Sequence, residues 1–82
     1  MRRVYSERFQ RGFDAAPPAV KKACDKQLCF LLENLHHPSL RSKKYDESQD
    51  LWQARVNKDW RFYFQIRGDV YYLVDIIPHP KK

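Results

Sequence analysis

Two arginines, Arg55 and Arg61, an aspartate, Asp75, and a histidine, His79, are the residues of this chain whose types and spacing can do chemistry. They act together only if the fold sets them on one surface. Alternation in the C-terminal third supplies such a surface. Trp52, Ala54 and Val56 alternate with Gln53, Arg55 and Asn57, and Trp60, Phe62, Phe64 and Ile66 alternate with Arg61, Tyr63, Gln65 and Arg67. Past Gly68-Asp69 the period continues through Val70, Tyr72, Val74 and Ile76, so three consecutive antiparallel strands are expected.

Cross-strand partners share a face, so apolar residues pair together only when their numbers sum to an even total, which argues against two-residue hairpins. A three-residue loop at Asn57-Lys58-Asp59 pairs Val56 with Trp60, Ala54 with Phe62 and Trp52 with Phe64. Arg55 then stands beside Arg61, and Gln53 beside Tyr63. A second three-residue loop at Arg67-Gly68-Asp69 pairs Phe64 with Tyr72 and Phe62 with Val74, and puts Asp75 opposite Arg61. The expected row is Arg55, Arg61, Asp75. His79 shares its parity and lies just past the last strand, near the Asn57 end of the hairpin.

Adjacent guanidinium groups repel and one carboxylate offsets them only in part, so an anion such as phosphate would complete the row. The competing reading is an Arg61 to Asp75 ion pair with Arg55 in water. An imidazole titrates near neutrality, and surrounding cations favour its neutral form, which suits a general base. Against this, His79 between two prolines reads equally as an exposed tail residue.

The elements that must position this row come earlier. Arg3 to Tyr5 is a candidate short strand, and Ser6 a candidate N-cap for a helix bearing Phe9 and Phe13 one turn apart. Gly12 and Pro17-Pro18 keep that helix short. The same prolines open a second helix, whose apolar stripe is Val20, Cys24, Leu28, Leu31 and Leu35, ending at His36-His37-Pro38. Lys21, Lys22, Asp25, Lys26 and Glu33 fall on its solvated face. Residues 41–50, RSKKYDESQD, read as a polar connecting loop. The fold class is α+β: two N-terminal helices on one face of a small, mainly antiparallel sheet made of a short first strand and a three-stranded C-terminal meander. The other face is left partly open.

A chain of 82 residues is expected to form a single domain over 1–82. It holds no apolar run long enough for a membrane helix, which points to a soluble, cytosolic chain without a membrane partner. A formal charge of +6 suits a polyanionic partner. With only two glycines there is little room for a phosphate-cradling loop, which argues against dinucleotide and P-loop chemistry. Cys24 and Cys29 point away from each other on a helix and are read as buried, unbridged thiols. The adjacent His36 and His37 lack metal-ligand spacing, and their plain reading is a helix-end contact and a surface residue.

The stretch WQARVNKDWRFYFQIRGDVYYLVDIIPH, Trp52 to His79, resembles the RelE/ParE superfamily of bacterial toxin-antitoxin toxins, most sharply at ARVNKDWRFYF. It is most similar to the HigB-like branch, where an R-[VI]-N-x-x-[WY]-R hairpin precedes a last strand ending in histidine. The N-terminal half matches in pattern more than in residues, and Leu40 to Tyr45 falls where many relatives carry a basic segment before the hairpin. The resemblance implies a compact α+β endoribonuclease that cuts mRNA in the ribosomal A site by attack of the ribose 2′-hydroxyl on the adjacent phosphate. That reaction needs a base, positive donors for the transition state and an acid for the leaving oxygen, with no metal or other cofactor.

Carried over by residue, the resemblance assigns Arg61 to phosphate stabilisation, with Arg55 in support, and His79 to general acid or base. Lys81 and Lys82 would hold phosphates, with proton donation a second possibility. Lys43 and Lys44 would contact RNA or the ribosome, and Tyr63 and Tyr71, on the open face, would stack a base or donate a proton. Each tyrosine in such a place is more often plain sheet packing. The sequence ends at HPKK, where several relatives continue into a C-terminal tyrosine or a further helix, and this leaves the acid unassigned. A cognate antitoxin, mRNA and the ribosome are the implied partners. Two alternatives stay open: a non-enzymatic DNA gyrase inhibitor like the ParE branch, and an inactive module of the same fold that binds RNA or an antitoxin.

Overall fold

The structure is a computed structural model that describes residues 2–78. His79, Lys81 and Lys82 therefore lie outside the described residues. In chain order the elements are strand β1 (Arg2–Tyr5), helix α1 (Glu7–Ala15), helix α2 (Pro18–Glu33), a single 3₁₀ turn (Pro38–Leu40), and strands β2 (Lys43–Asp46), β3 (Leu51–Arg55), β4 (Trp60–Arg67) and β5 (Val70–Pro78). The strands form one sheet in the order β1-β5-β4-β3-β2. β1 runs parallel to β5 and every other pairing is antiparallel, so the fold class is α+β as expected.

Ser6 joins the first strand to the first helix and does more than cap it. Its hydroxyl oxygen accepts the Phe9 N–H at 2.9 Å, as an N-cap should, while its O–H donates to the Val74 carbonyl at 2.6 Å and its own N–H to the Leu73 carbonyl. α1 is thereby fastened to β5. Gly12 permits the close approach: a Cβ there would meet the Ile76 carbonyl oxygen at 2.8 Å. Gly12→Ala should therefore destabilise the fold by about 1–3 kcal/mol through overpacking, against a helix-propensity gain of roughly 1 kcal/mol. A thermal melt that rises on this substitution would contradict the packing account.

Pro18 opens α2, where its missing N–H costs nothing. The stripe of Val20, Cys24, Leu28 and Leu31 is buried against Ala54, Val56, Phe62, Phe64, Tyr71, Leu73 and Ile76 of the sheet, with Leu40 of the 3₁₀ turn closing one side. Each large apolar side chain so buried contributes about 1.5–3 kcal/mol. The two cysteines part company: Cys24 is buried as expected, whereas Cys29 is exposed, because it turns off the apolar stripe.

Burial, with Asp25 adding to it, pushes the Cys24 thiol up to about 12 from an ordinary value of 9.0. Below the ordinary value both folded and unfolded chains keep the thiol neutral. Above it the unfolded chain ionises first, so stability is lost as pH rises toward the folded value, by at most about 1.4 kcal/mol per pH unit. Denaturant midpoints measured across the alkaline range for the protein and for Cys24→Ala should diverge in slope, only the former carrying this loss.

The strands depart from expectation in β2 and in the second hairpin. The polar segment 41–50 contains β2, an edge strand with its register broken between Lys44 and Asp46. Its side chains are polar on both faces, so no apolar alternation marks it as a strand. The second hairpin closes at a two-residue turn, Arg67 pairing with Val70, and Gly68 supplies the positive φ of 58° that such a turn requires. The even-sum rule is met farther along by a bulge: Phe64 pairs with Leu73 and Tyr63 with Asp75, leaving Val74 as the extra residue.

Candidate functional site

The first hairpin has the expected register. Arg55 pairs with Arg61, Ala54 with Phe62, Gln53 with Tyr63 and Trp52 with Phe64. Asn57 fixes the loop, its side-chain oxygen accepting the Asp59 and Trp60 N–H groups at 2.8 and 2.9 Å. The Arg61 Nη1 then donates to the Asn57 carbonyl at 2.7 Å and the Trp60 carbonyl at 2.9 Å. Both acceptors are backbone atoms of the loop, so the guanidinium is aimed by the turn itself. Its Nε and Nη2 hydrogens carry no bond among the described residues.

Partial burial, and next the like charge of Arg55, hold the Arg61 guanidinium below its ordinary value, with Arg41 adding to the effect. Asp59 and Tyr63 oppose it. The ion pairs among the described residues join Arg8 to Asp75, Arg11 to Glu7 and Lys44 to Asp50, and none includes Arg41, Arg55 or Arg61. Three arginines thus gather with no ion-paired carboxylate, an arrangement that an anion would relieve.

Asp75 does not complete this row. The bulge at Val74 moves it opposite Tyr63, and Ile77 stands opposite Arg61. The Asp75 carboxylate instead accepts the Ile76 N–H and lies 3.9 Å from the Arg8 guanidinium, so the competing Arg61 to Asp75 ion pair is absent too. The same bulge turns Tyr71 inward. It is 3% exposed and packs edge-on against Phe64 in the core, where burial raises its hydroxyl pKa, so it cannot stack an RNA base.

Tyr63 is on the open side, but 7% exposed, its hydroxyl accepting from the Gln53 amide at 2.9 Å and its ring covered by the edge-on ring of Tyr45. Tyr45, 58% exposed, is the aromatic surface that solvent sees. Lys43 pairs with Gln53 and so shares the face of the arginines. Lys44 pairs with Trp52 on the other face, its ammonium 5.0 Å from that indole and salt-bridged to Asp50, which removes it from the arginine cluster.

Sequence reasoning missed Arg41, Tyr45 and Gln27. The first two sit in the segment taken for a loop, and no periodicity marks them. Gln27 offers a weak signal, an amide one position before Leu28 of the apolar stripe. It is buried, and its Nε2 donates to the Ser39 carbonyl at 2.9 Å and the Arg55 carbonyl at 2.7 Å, tying α2 to the end of β3.

No sequence-family profile matches the chain, and no curated protein matches it in sequence. Solved structures do match its shape. It is similar to a YoeB/ParE toxin from Agrobacterium tumefaciens with a TM-score of 0.82 over 98% of this chain and 100% of that one, at 9% identity. The fold is that of the RelE/ParE toxins. Isolated RelE from E. coli superposes with a TM-score of 0.78 over 99% of this chain and 86% of that one at 14% identity. The intact E. coli RelBE toxin-antitoxin complex gives 0.76, 98% of each chain and 13% identity. With so little identity, the RelE/ParE likeness rests on strand order and helix placement, and the side chains of this chain must carry their own functional argument.

Proposed function

We propose that this protein is the toxin of a toxin-antitoxin pair, a HigB-like endoribonuclease that cuts mRNA on the ribosome without a metal. The observation that carries the reading is the Arg55 to Arg61 cross-strand pair, in which the hairpin loop aims Arg61 and neither arginine has an ion-paired carboxylate among the described residues. Arg61 donates to the phosphate as negative charge develops on it, and Arg55 supports the same group. His79 takes the 2′-hydroxyl proton. It follows Ile77, the partner of Arg61, by two positions in the sequence. Lys43 and Tyr45 extend the face toward the sheet edge, as cation and stacking surface for the flanking nucleotide. Lys81 and Lys82 follow His79 and add charge for the strand.

The RelBE complex among its structural neighbours supports an antitoxin partner for this chain, one that covers the basic face in the cytoplasm of the cell that makes both. The test is cleavage of mRNA on programmed ribosomes by the purified protein. Wild type should cut, and His79→Ala and Arg61→Ala should not while keeping the native far-ultraviolet spectrum. A wild type that leaves translated mRNA intact and blocks gyrase supercoiling would replace this reading with the gyrase-inhibitor one.

A further inference from the structure

Beyond the Arg55 to Arg61 pair, an open cleft of about 480 Å³ lies between α2, the 3₁₀ turn and the end of β3. Lys26 and Arg41 are charged residues on its lining, Arg55 joins it at the end of β3, and no carboxylate of the described residues lines it. Lys26 and Arg41 also take no part in the ion pairs among the described residues.

The walls are held in place. Gln27, 6% exposed, bonds through one amide nitrogen to the Ser39 carbonyl on one wall and the Arg55 carbonyl on the other. His37 lies flat on Phe30 at 3.9 Å, and its Nδ1 accepts the Ser39 N–H, capping the turn that delivers Arg41. Lys26 rests over the same Phe30 ring at 5.9 Å. Arg41 itself is left-handed, with φ 46° and ψ 42°, a backbone state in which glycine is less strained. A strained arginine at a rigid, cationic rim is the kind of outlier found where a side chain must be delivered to a ligand.

We infer that this cleft is a second phosphate site, taking the backbone of the same single-stranded RNA at a nucleotide flanking the one held by Arg61. The inference rests on the ribonuclease reading and adds Lys26 and Arg41 to its substrate-binding residues. Continuity favours RNA over an acidic peptide. Arg41 lines the cleft and its charge is felt at Arg61, so a polyanion crossing from one to the other meets cations throughout.

The experiment is fluorescence anisotropy of a short single-stranded RNA, 2′-O-methylated so that it is bound without being cut, titrated at several KCl concentrations. The full chain is compared with Lys26→Gln/Arg41→Gln and with Arg2→Gln/Arg3→Gln, which removes equal charge from β1 at the other edge of the sheet. Losing the cleft's phosphate contact should flatten the plot of log affinity against log salt by roughly 0.7, the value for one phosphate on a single strand, and the β1 variant should keep the wild-type slope. Arg41→Gly should weaken binding with its melting temperature held or raised, separating the contact from the fold.

A cleft variant with the wild-type slope, or a β1 variant that flattens equally, overturns the cleft site. If that wild type still cuts unmodified RNA, the ribonuclease reading stands alone. A wild type that neither binds nor cuts RNA overturns both. A cleft variant with its RNA slope intact that no longer binds polyglutamate overturns the phosphate site in favour of an acidic protein partner.

Discussion

Arg61→Ala is expected to lower the rate of RNA cleavage by roughly 10²–10³, the loss seen when one preorganised donor to a developing oxyanion is removed, or about 2.7–4 kcal/mol of barrier. The size follows from how the group is held. Two backbone carbonyls of the 57–60 loop occupy its Nη1, fixing the guanidinium plane before substrate arrives. Removing it therefore loses donors that pay no reorganisation cost during the reaction. Arg61→Lys should recover little of the rate, because an ammonium keeps the charge but cannot bond the loop and present a free fork together. Single-turnover cleavage with saturating enzyme isolates the chemical step. A lysine variant as fast as wild type would mean that charge alone, without the loop-held geometry, does the work.

The largest effect on stability belongs to Phe64→Ala, at about 3–5 kcal/mol. Phe64 is fully buried, stacks on Trp52, lies tilted against Phe62 and packs edge-on with Tyr71. It is also the first residue after the register shift between β4 and β5. A domain of this size is stable by only some 5–15 kcal/mol, so the loss should remove about a fifth or more of that stability and lower the urea midpoint in proportion. Cleavage activity should then fall with the folded fraction. A Phe64→Ala protein with a midpoint near that of wild type would show that the core tolerates a cavity where the bulge is locked.

The first hairpin was legible in sequence because its information is local. A three-residue loop and an unbroken alternation on both sides leave one register, and Arg55 falls beside Arg61. The second hairpin was not, because its register depends on a residue 68 positions away. The Ser6 hydroxyl bonds the carbonyl of Val74, the extra residue of the bulge, and this sets Val70 to Leu73 one position out of the alternation that Asp75 and Ile76 keep. Tyr71 and Leu73 thus enter the core in place of Tyr72 and Val74, and Asp75 leaves the arginine row. β2 was hidden for a different reason. Lys43-Lys44-Tyr45-Asp46 has polar side chains on both faces, and its strand state is fixed by pairing with β3 rather than by its own pattern. The site residues that lay there, Arg41 and Tyr45, were hidden with it.

The central claim, that the loop-held Arg61 and its cross-strand partner Arg55 receive an RNA phosphodiester, is tested most directly by heteronuclear NMR of the arginine side chains during titration with uncleavable single-stranded RNA. The Nε–H resonances of Arg55 and Arg61 should shift together and saturate at a common RNA concentration, while those of Arg2 and Arg3 on β1 stay in place. Saturable binding that leaves the Arg55 and Arg61 signals unmoved would contradict the account.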